Sequence, residues 1–268
     1  MDLPPNLFKR AMASGQTRYG LWLGLPDTTA AEIAAGAGFD WLLIDHEHAP
    51  FELADILAHL QAIAPYAVAP VVRPVDDDPS LLKKLLDIGV QTFLVPMVET
   101  AEQAQAIVRA LRYPPAGTRG LGTSLARAAA WGQVADYQHK ANDEICLLVQ
   151  VETVAALDNL ARILAVDGVD GVFIGPSDLS ASMGHVGDPG HAEVVEAVSA
   201  ALGTIAAAGK LAGVLCVDPA LVEAYRACGA NFIGVGVDTL ILAQGARRLA
   251  RVFKSAGVPE DMEDPAAY

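Results

Sequence analysis

The segment "IDHEHAP", Ile44 to Pro50, sets Asp45, His46, Glu47 and His48 in four consecutive positions straight after the apolar run "FDWLLI". Two carboxyls and two imidazoles this close suit a metal cluster, a general-base site or a polar loop. An imidazole beside a carboxylate has its tautomer fixed and its basicity raised, which makes His48 next to Asp45 a candidate base. Whether His46 or His48 points inward depends on whether the chain stays extended there or turns, and residue order leaves both open. Farther along, Glu152 closes the run "CLLVQVE" and Asp178 stands in "GPSDLS". Such a pair offers hard oxygen ligands to Mg²⁺, Mn²⁺ or a similar ion, with positions left for substrate and water. Burying both without a cation would be costly; the plainer alternative is that either one caps a helix, Asp178 above all. Arg73 ends "APVVR", where a guanidinium needs an anion: a substrate oxygen, or one of Asp76, Asp77 and Asp78.

Lysine placement carries separate information. Lys9, Lys83, Lys84, Lys140, Lys210 and Lys254 fall in expected helices or ahead of strands, none at a strand's C-terminal end. A Schiff-base mechanism needs a lysine in the pocket, so carbonyl activation falls to a metal. "GVGVD", Gly234 to Asp238, has the look of a phosphate-cradling turn but lacks a supporting Gly-rich pattern. GxSxG, Walker A and a dinucleotide-binding GxGxxG context are absent.

What brings such scattered residues together is an alternation of short aliphatic runs with stretches of helical period, the mark of βα units around a parallel sheet. Eight strands are expected: "YGLWLGL", "DWLLID", "APVVR", "QTFLVP", "CLLVQVE", "DGVFIG", "GVLCV" and "NFIGVG". Eight pairs imply an α/β (β/α)8 TIM barrel in a single domain over residues 1–268, with a doubly wound sheet as the weaker option. Chemistry in a barrel sits at the C-terminal strand ends. Asp45, Arg73, Gln150, Glu152 and Asp178 all fall there. "YPPAGTRGLGTSLARAAAWG", Tyr113 to Gly132, is too long for a plain connection and reads as a functional loop or lid, with Arg119 and Arg127 open to an acidic ligand tail or to ordinary salt bridges. The expected helix Asp238 to Ser255 is apolar on several faces, and residues 257–268 form an acidic, loose tail.

A formal charge of −14 argues against nucleic acid and anionic membranes as partners. Cys146, Cys216 and Cys228 lack CxxC spacing and read as buried thiols of a reduced, cytoplasmic protein. The N-terminus has no apolar signal core.

Taken in order, "GLWLGL", "AGAGFDWLLIDHEHAP", "PVVRP", "FLVPM", "RYPPAGTRG", "LVQVET", "VDGVFIGPSDLS" and "VGVDT" resemble the metal-dependent class II pyruvate aldolases, typified by 4-hydroxy-2-oxoheptanedioate aldolase, over nearly the whole chain. The resemblance implies reversible cleavage of a 4-hydroxy-2-oxo acid to pyruvate, or hydroxypyruvate, and an aldehyde. Glu152 and Asp178 would hold Mg²⁺, Mn²⁺ or Co²⁺, Arg73 the keto oxygen, and Glu47 the waters of the ion. His48, supported by Asp45, would be the base. Backbone amides around Gly175, Ser177 and Asp178 would receive the substrate carboxylate, Gln150 and Trp22 would line the pocket, and Leu121 and Leu215 would border the aldehyde. It also implies a homohexamer, a dimer of trimers, with exchanged C-terminal helices. Two residues depart from the pattern: His46 stands in place of Gly and Ser177 in place of Ala, the latter bringing a hydroxyl that would favour a hydroxylated donor. Two other readings are a citrate-lyase-like enzyme acting on a CoA thioester, which the scarcity of Lys/Arg clusters disfavours, and a barrel that binds 2-oxo acids without catalysis.

Overall fold

The computed structural model describes residues 1–254, and the expected acidic tail lies outside the described residues. Eight parallel strands close into a barrel in sequence order. They are β1 (Arg18–Leu23), β2 (Trp41–Asp45), β3 (Ala69–Arg73), β4 (Thr92–Val95), β5 (Cys146–Val151), β6 (Gly171–Ile174), β7 (Leu211–Leu215) and β8 (Phe232–Val237). All eight expected strands are present; β7 begins two residues before its expected start at Gly213.

The helices are α1 (Leu7–Met12), α2 (Thr28–Ala35), α3 (Leu53–Ile63), α4 (Pro79–Ile88), α5 (Ala101–Leu111), α6 (Tyr137–Lys140), α7 (Val154–Asp158), α8 (Leu160–Leu164), α9 (Pro176–Ser182), α10 (Ala192–Ala207), α11 (Pro219–Ala227) and α12 (Asp238–Lys254). Several start where their sequence says they should. Asp27, Asp78, Thr100, Thr153 and Asp218 each accept backbone N–H groups as N-caps, and proline opens α4, α9 and α11. The single helix expected over "TVAALDNLARIL" is instead two, broken at Asn159, whose side-chain amide donates to the Glu99 and Ala155 carbonyls.

Strand residues alternate between two apolar layers, as the period of two requires. Leu42, Ile44, Val72, Val149, Val172 and Ile233 face the helices, while Trp22, Trp41, Leu43, Val71, Leu148, Phe173 and Phe232 fill the barrel. Below them α1, which no periodic run announces, closes the N-terminal end. Phe8 packs edge-on against Trp41 and Phe232, and Asn6 donates to Gln91 O, Thr92 Oγ1 and Glu144 O, tying the plug to the start of β4 and the turn before β5. No helix among the described residues is long and apolar enough to cross a membrane.

Gly213 marks how little space the interior has. A Cβ there would overlap the Phe232 ring and come within 2.6 Å of Phe173. Gly213→Ala is expected to destabilise the fold by about 1–3 kcal/mol through overpacking, read as a lower Tm in calorimetry; an unchanged Tm would show that the two rings move aside freely.

Candidate active site

Parallel strands deliver their last residues to one rim, and the β2–β3 register sets Asp45 directly beside Arg73. Arg73 Nε donates to Asp45 Oδ1 at 2.9 Å and Nη2 to Oδ2 at 2.6 Å, a two-pronged clamp. Arg73 Nη1 lies 2.9 Å from Glu47 Oε2, out of line for N–H donation, so that buried oxygen has no hydrogen-bond donor. Burial works against the Arg73 charge, but the bonds and charges of Asp45 and Glu47 outweigh it and hold the pKa above its ordinary value. The aspartates that follow Arg73 are occupied elsewhere: Asp78 caps α4, Asp77 accepts from Gln103, and Asp76 accepts the Asp78 N–H.

The clamp corrects one expectation. Asp45 does not orient the His48 ring, because both of its oxygens face Arg73. Its Oδ1 also accepts the backbone N–H groups of Glu47 at 3.1 Å and His48 at 3.4 Å, which wraps the loop around the carboxylate. The His48 side chain is 66% exposed, with Nε2 3.8 Å from Glu47 Oε2. His46 extends the strand pairing through its N–H to Arg73 O at 2.9 Å, and its ring Nδ1 is buried without a hydrogen-bond partner.

Glu152 follows β5 and is 1% exposed. Its Oε1 accepts the Met97 N–H at 2.9 Å and its Oε2 accepts the Gln150 side-chain amide. Burial pushes its pKa up, the two hydrogen bonds restrain the rise, and the nearby Asp178 and Glu47 charges add to it. Burial raises Glu47 as well, against the pull of Arg73 and His48. Glu47, Glu152 and Asp178 are thus close enough to feel one another's charge.

Gly175 leaves the room that Glu152 occupies. A Cβ on it would sit 2.5 Å from Glu152 Oε2 and 3.2 Å from Gln150 Nε2. The same glycine is the N-cap of α9, so Ser177 and Asp178 stand exposed on the first turn of that helix. Trp22 and Leu215 meet over Gly234, where an added Cβ would lie 2.6 Å from Trp22 and 3.0 Å from Leu215, and the Arg73 guanidinium carbon lies 5.8 Å from the Trp22 ring centre. Trp22, Arg73, Gln150, Glu152 and Gly175 therefore gather at one mouth.

Other expected residues do not join them. Leu121 is 70% exposed, next to Gly120, which lies by the Lys83 side chain of α4. Arg119 is buried, donating to Asp87 at 2.9 Å and to Tyr137 at 3.3 Å with its guanidinium over the Tyr113 ring, while Arg127 donates to Ile88 O at the end of α4. Both arginines anchor the Tyr113–Gly132 segment to α4, the ordinary polar pairing. Asp238 fills the "GVGVD" turn itself, its carboxylate accepting the N–H groups of Gly24, Leu25 and Thr239. The lysines stay away from the mouth: Lys83, Lys84, Lys140 and Lys254 are exposed on helices, and Lys9 and Lys210 bond carbonyls of Ile145 and Val169, before β5 and β6.

Met97 was not foreseen. It holds φ at 54°, a left-handed conformation uncommon outside glycine, and this turns its N–H onto Glu152. Only the break in β character after "FLVP" hints at it, since the side chain takes no part.

The residues present fit a divalent cation. Asp45, Glu47, Glu152 and Asp178 set four carboxylates against the single guanidinium of Arg73, and Gln150 Oε1 and Glu47 Oε2 are buried without donors. Oxygen donors short of positive charge are what Mg²⁺, Mn²⁺ or Co²⁺ takes. A cavity of about 590 Å³ at the opposite end, lined by residues such as Leu3, Pro4, Leu60, Tyr66 and Trp131, has no such convergence of acids.

A family model described as HpcH/HpaI aldolase/citrate lyase matches residues 18–244. The hydroxypyruvate/pyruvate aldolase of Pseudomonas aeruginosa is 55% identical over 268 residues, covering 100% of both chains. The 4-hydroxy-2-oxo-heptane-1,7-dioate aldolase of Klebsiella pneumoniae is 57% identical, with 92% of this chain and 94% of that one covered. A crystal structure of an HpcH/HpaI aldolase/citrate lyase family protein from Burkholderia cenocepacia superposes with a TM-score of 0.88 at 39% identity, over 93% of this chain and 100% of that one. With its closed barrel, its carboxylate-rich mouth and this likeness over nearly its full length, the chain belongs to the HpcH/HpaI aldolase/citrate lyase family.

Proposed function

We propose that the protein is a divalent-metal-dependent aldolase that reversibly cleaves 4-hydroxy-2-oxo acids to pyruvate or hydroxypyruvate and an aldehyde. The observation that carries this reading is the excess of buried and half-buried carboxylates facing one clamped guanidinium at the barrel mouth. The names of the Pseudomonas and Klebsiella relatives support the substrate class.

In this reading Glu152 and Asp178 hold the ion, which when bound supplies a Lewis acid for the oxygens of the 2-oxo acid. The two hydrogen bonds to Asp45 and the ion pair to Glu47 fix the Arg73 guanidinium, and the remaining N–H groups of Nη1 and Nη2 are left to meet the keto oxygen as it gains charge. Backbone amides in the first turn of α9 receive the substrate carboxylate. His48 takes the proton of the 4-hydroxyl in the cleavage direction, the C3–C4 electron pair moves into the enolate, and the aldehyde leaves. The protonated base then gives its proton to the enolate carbon to form pyruvate; in reverse, the base removes a proton from the methyl carbon of pyruvate. Asp45 is a positioning residue for Arg73 here and reaches His48 only through the backbone.

The last helix supports assembly. Of α12, Val252 alone is buried, while Leu240, Ile241, Leu242, Leu249 and Phe253 are 40–74% exposed. An apolar surface of this kind fits docking on further copies of the chain, in a homohexamer with exchanged helices. Light scattering should return a hexamer mass for the wild type and a smaller one for Leu242→Asp/Phe253→Asp; a monomeric wild type would end the idea.

His48→Ala is expected to lower aldol turnover by about 10²–10⁴-fold and to slow deuterium exchange into the pyruvate methyl group, with Mn²⁺ affinity unchanged. Loss of Mn²⁺ binding would instead move the ligand set to the "DHEH" loop, and a wild type with no metal-dependent methyl exchange would mean a barrel that only binds. The raised Glu152 carboxyl has a pH signature of definite sign. Stability gained from its protonated form is complete below the ordinary value of 4.5 and is lost as pH rises through the raised value in the fold. In metal-free protein the stability of Glu152→Gln relative to wild type should therefore increase from about pH 4 to about pH 8 in urea unfolding. Ion affinity of the wild type should grow over the same interval as proton and cation compete; a flat difference between the two proteins would exclude a raised Glu152.

A further inference from the structure

A second constellation lies in the connection from α9 to α10, built from nitrogen as well as oxygen. His185 and His191 stack with ring centres 3.6 Å apart and planes inclined by 15°. His185 Nε2 is 2.9 Å from Glu193 Oε2, and His191 caps α10 by accepting the Glu193 N–H on Nδ1 at 3.4 Å. One ligand atom from each of the three lies within 4.8 Å of the other two, the only such group of His, Cys, Asp or Glu among the described residues. The loop is held at both ends: His185 N–H bonds Ser180 O at 2.7 Å, Asp188 N–H bonds His185 O, and His191 N–H bonds Asp188 O. Gly184 and Gly187, at φ 89° and 79°, supply the turns that bring the two imidazoles face to face.

We propose that His185, His191 and Glu193 bind a transition-metal ion of the borderline class, Zn²⁺, Ni²⁺ or Cu²⁺, at a site separate from the catalytic carboxylates. Imidazole selects these ions, whereas an all-oxygen set suits Mg²⁺ and Mn²⁺, so the two sites would sort cations by chemistry. Three protein ligands leave an open position for water. Ring lone pairs lie in the ring plane, so the two near-parallel imidazoles must swing about χ2 to converge on one ion. Metal–nitrogen bonds of about 2.0–2.1 Å bring tetrahedral ligand atoms to roughly 3.4 Å apart, a short closure from the present spacing for side chains on a half-exposed loop. A plain salt bridge and helix cap would account for the Glu193 contacts, but they give no reason for the second imidazole to lie against the first. Binding would also brace α9, because Ser180, which holds His185, donates its hydroxyl to Ser177 O at 2.7 Å.

The test is Cu²⁺ titration of the full-length protein saturated with Mg²⁺, followed by electron paramagnetic resonance and isothermal calorimetry. One Cu²⁺ per chain with nitrogen hyperfine structure is expected. His185→Ala and His191→Ala should each weaken its binding by more than about tenfold, with Glu193→Gln weakening it less and His48→Ala leaving it intact. Circular dichroism of each variant checks that the fold persists. Copper with oxygen ligands only, or affinity and nitrogen coupling that survive both loop substitutions, would overturn the proposal; coupling lost only in His48→Ala would assign the nitrogen to the rim loop instead.

Discussion

The rim of this barrel depends on an imbalance of charge. One guanidinium, clamped by Asp45 and faced by Glu47, is, among the described residues, the sole cationic side chain placed beside Glu47, Glu152 and Asp178. Desolvation raises the pKa of Glu47 and of Glu152, so burial works against the charged form of each. Much of the surrounding structure serves to tolerate this. The Met97 N–H and the Gln150 amide bond Glu152, and the bare Cα of Gly175 leaves it space. Side chains held this way are preorganised, needing little rearrangement to meet a charge.

The two ends of the barrel divide the labour. At the N-terminal end α1 and its aromatic contacts with β2 and β8 seal the interior, and Asn6 bonds β4 and the turn before β5 while Lys9 and Lys210 bond backbone carbonyls. At the C-terminal end Glu47 Oε2, Gln150 Oε1 and His46 Nδ1 are buried without a partner, as are atoms of Arg18, Tyr113 and Arg119 elsewhere among the described residues. Unsatisfied donors and acceptors are costly inside a fold, and at the mouth three of them lie beside the carboxylates.

Eight strands were legible because each is a short aliphatic run, and the strand ends then located Asp45, Arg73, Glu152 and Asp178. The pattern did not disclose what a side chain touches when several partners compete. Asp45 had both Arg73 and His48 within reach, and the adjacent-strand register decided for Arg73. Arg119 was ambiguous for a related reason: its sequence neighbours are loop residues, whereas its actual partners, Asp87 and Tyr137, come from elsewhere in the chain. Met97 was invisible because it acts through its backbone, and α1 because six residues are too few to show a period.

The placement of the lysines has a practical side. All six ammonium groups sit on outward helix faces or near the N-terminal ends of strands, and none belongs to a residue of the mouth. Amine-reactive reagents, whether dyes or the activated surface of a solid support, would therefore attach to the body of the barrel and leave the carboxylate rim chemically untouched. The protein is suited to immobilisation through its lysines, with its open mouth still available to small acids in solution.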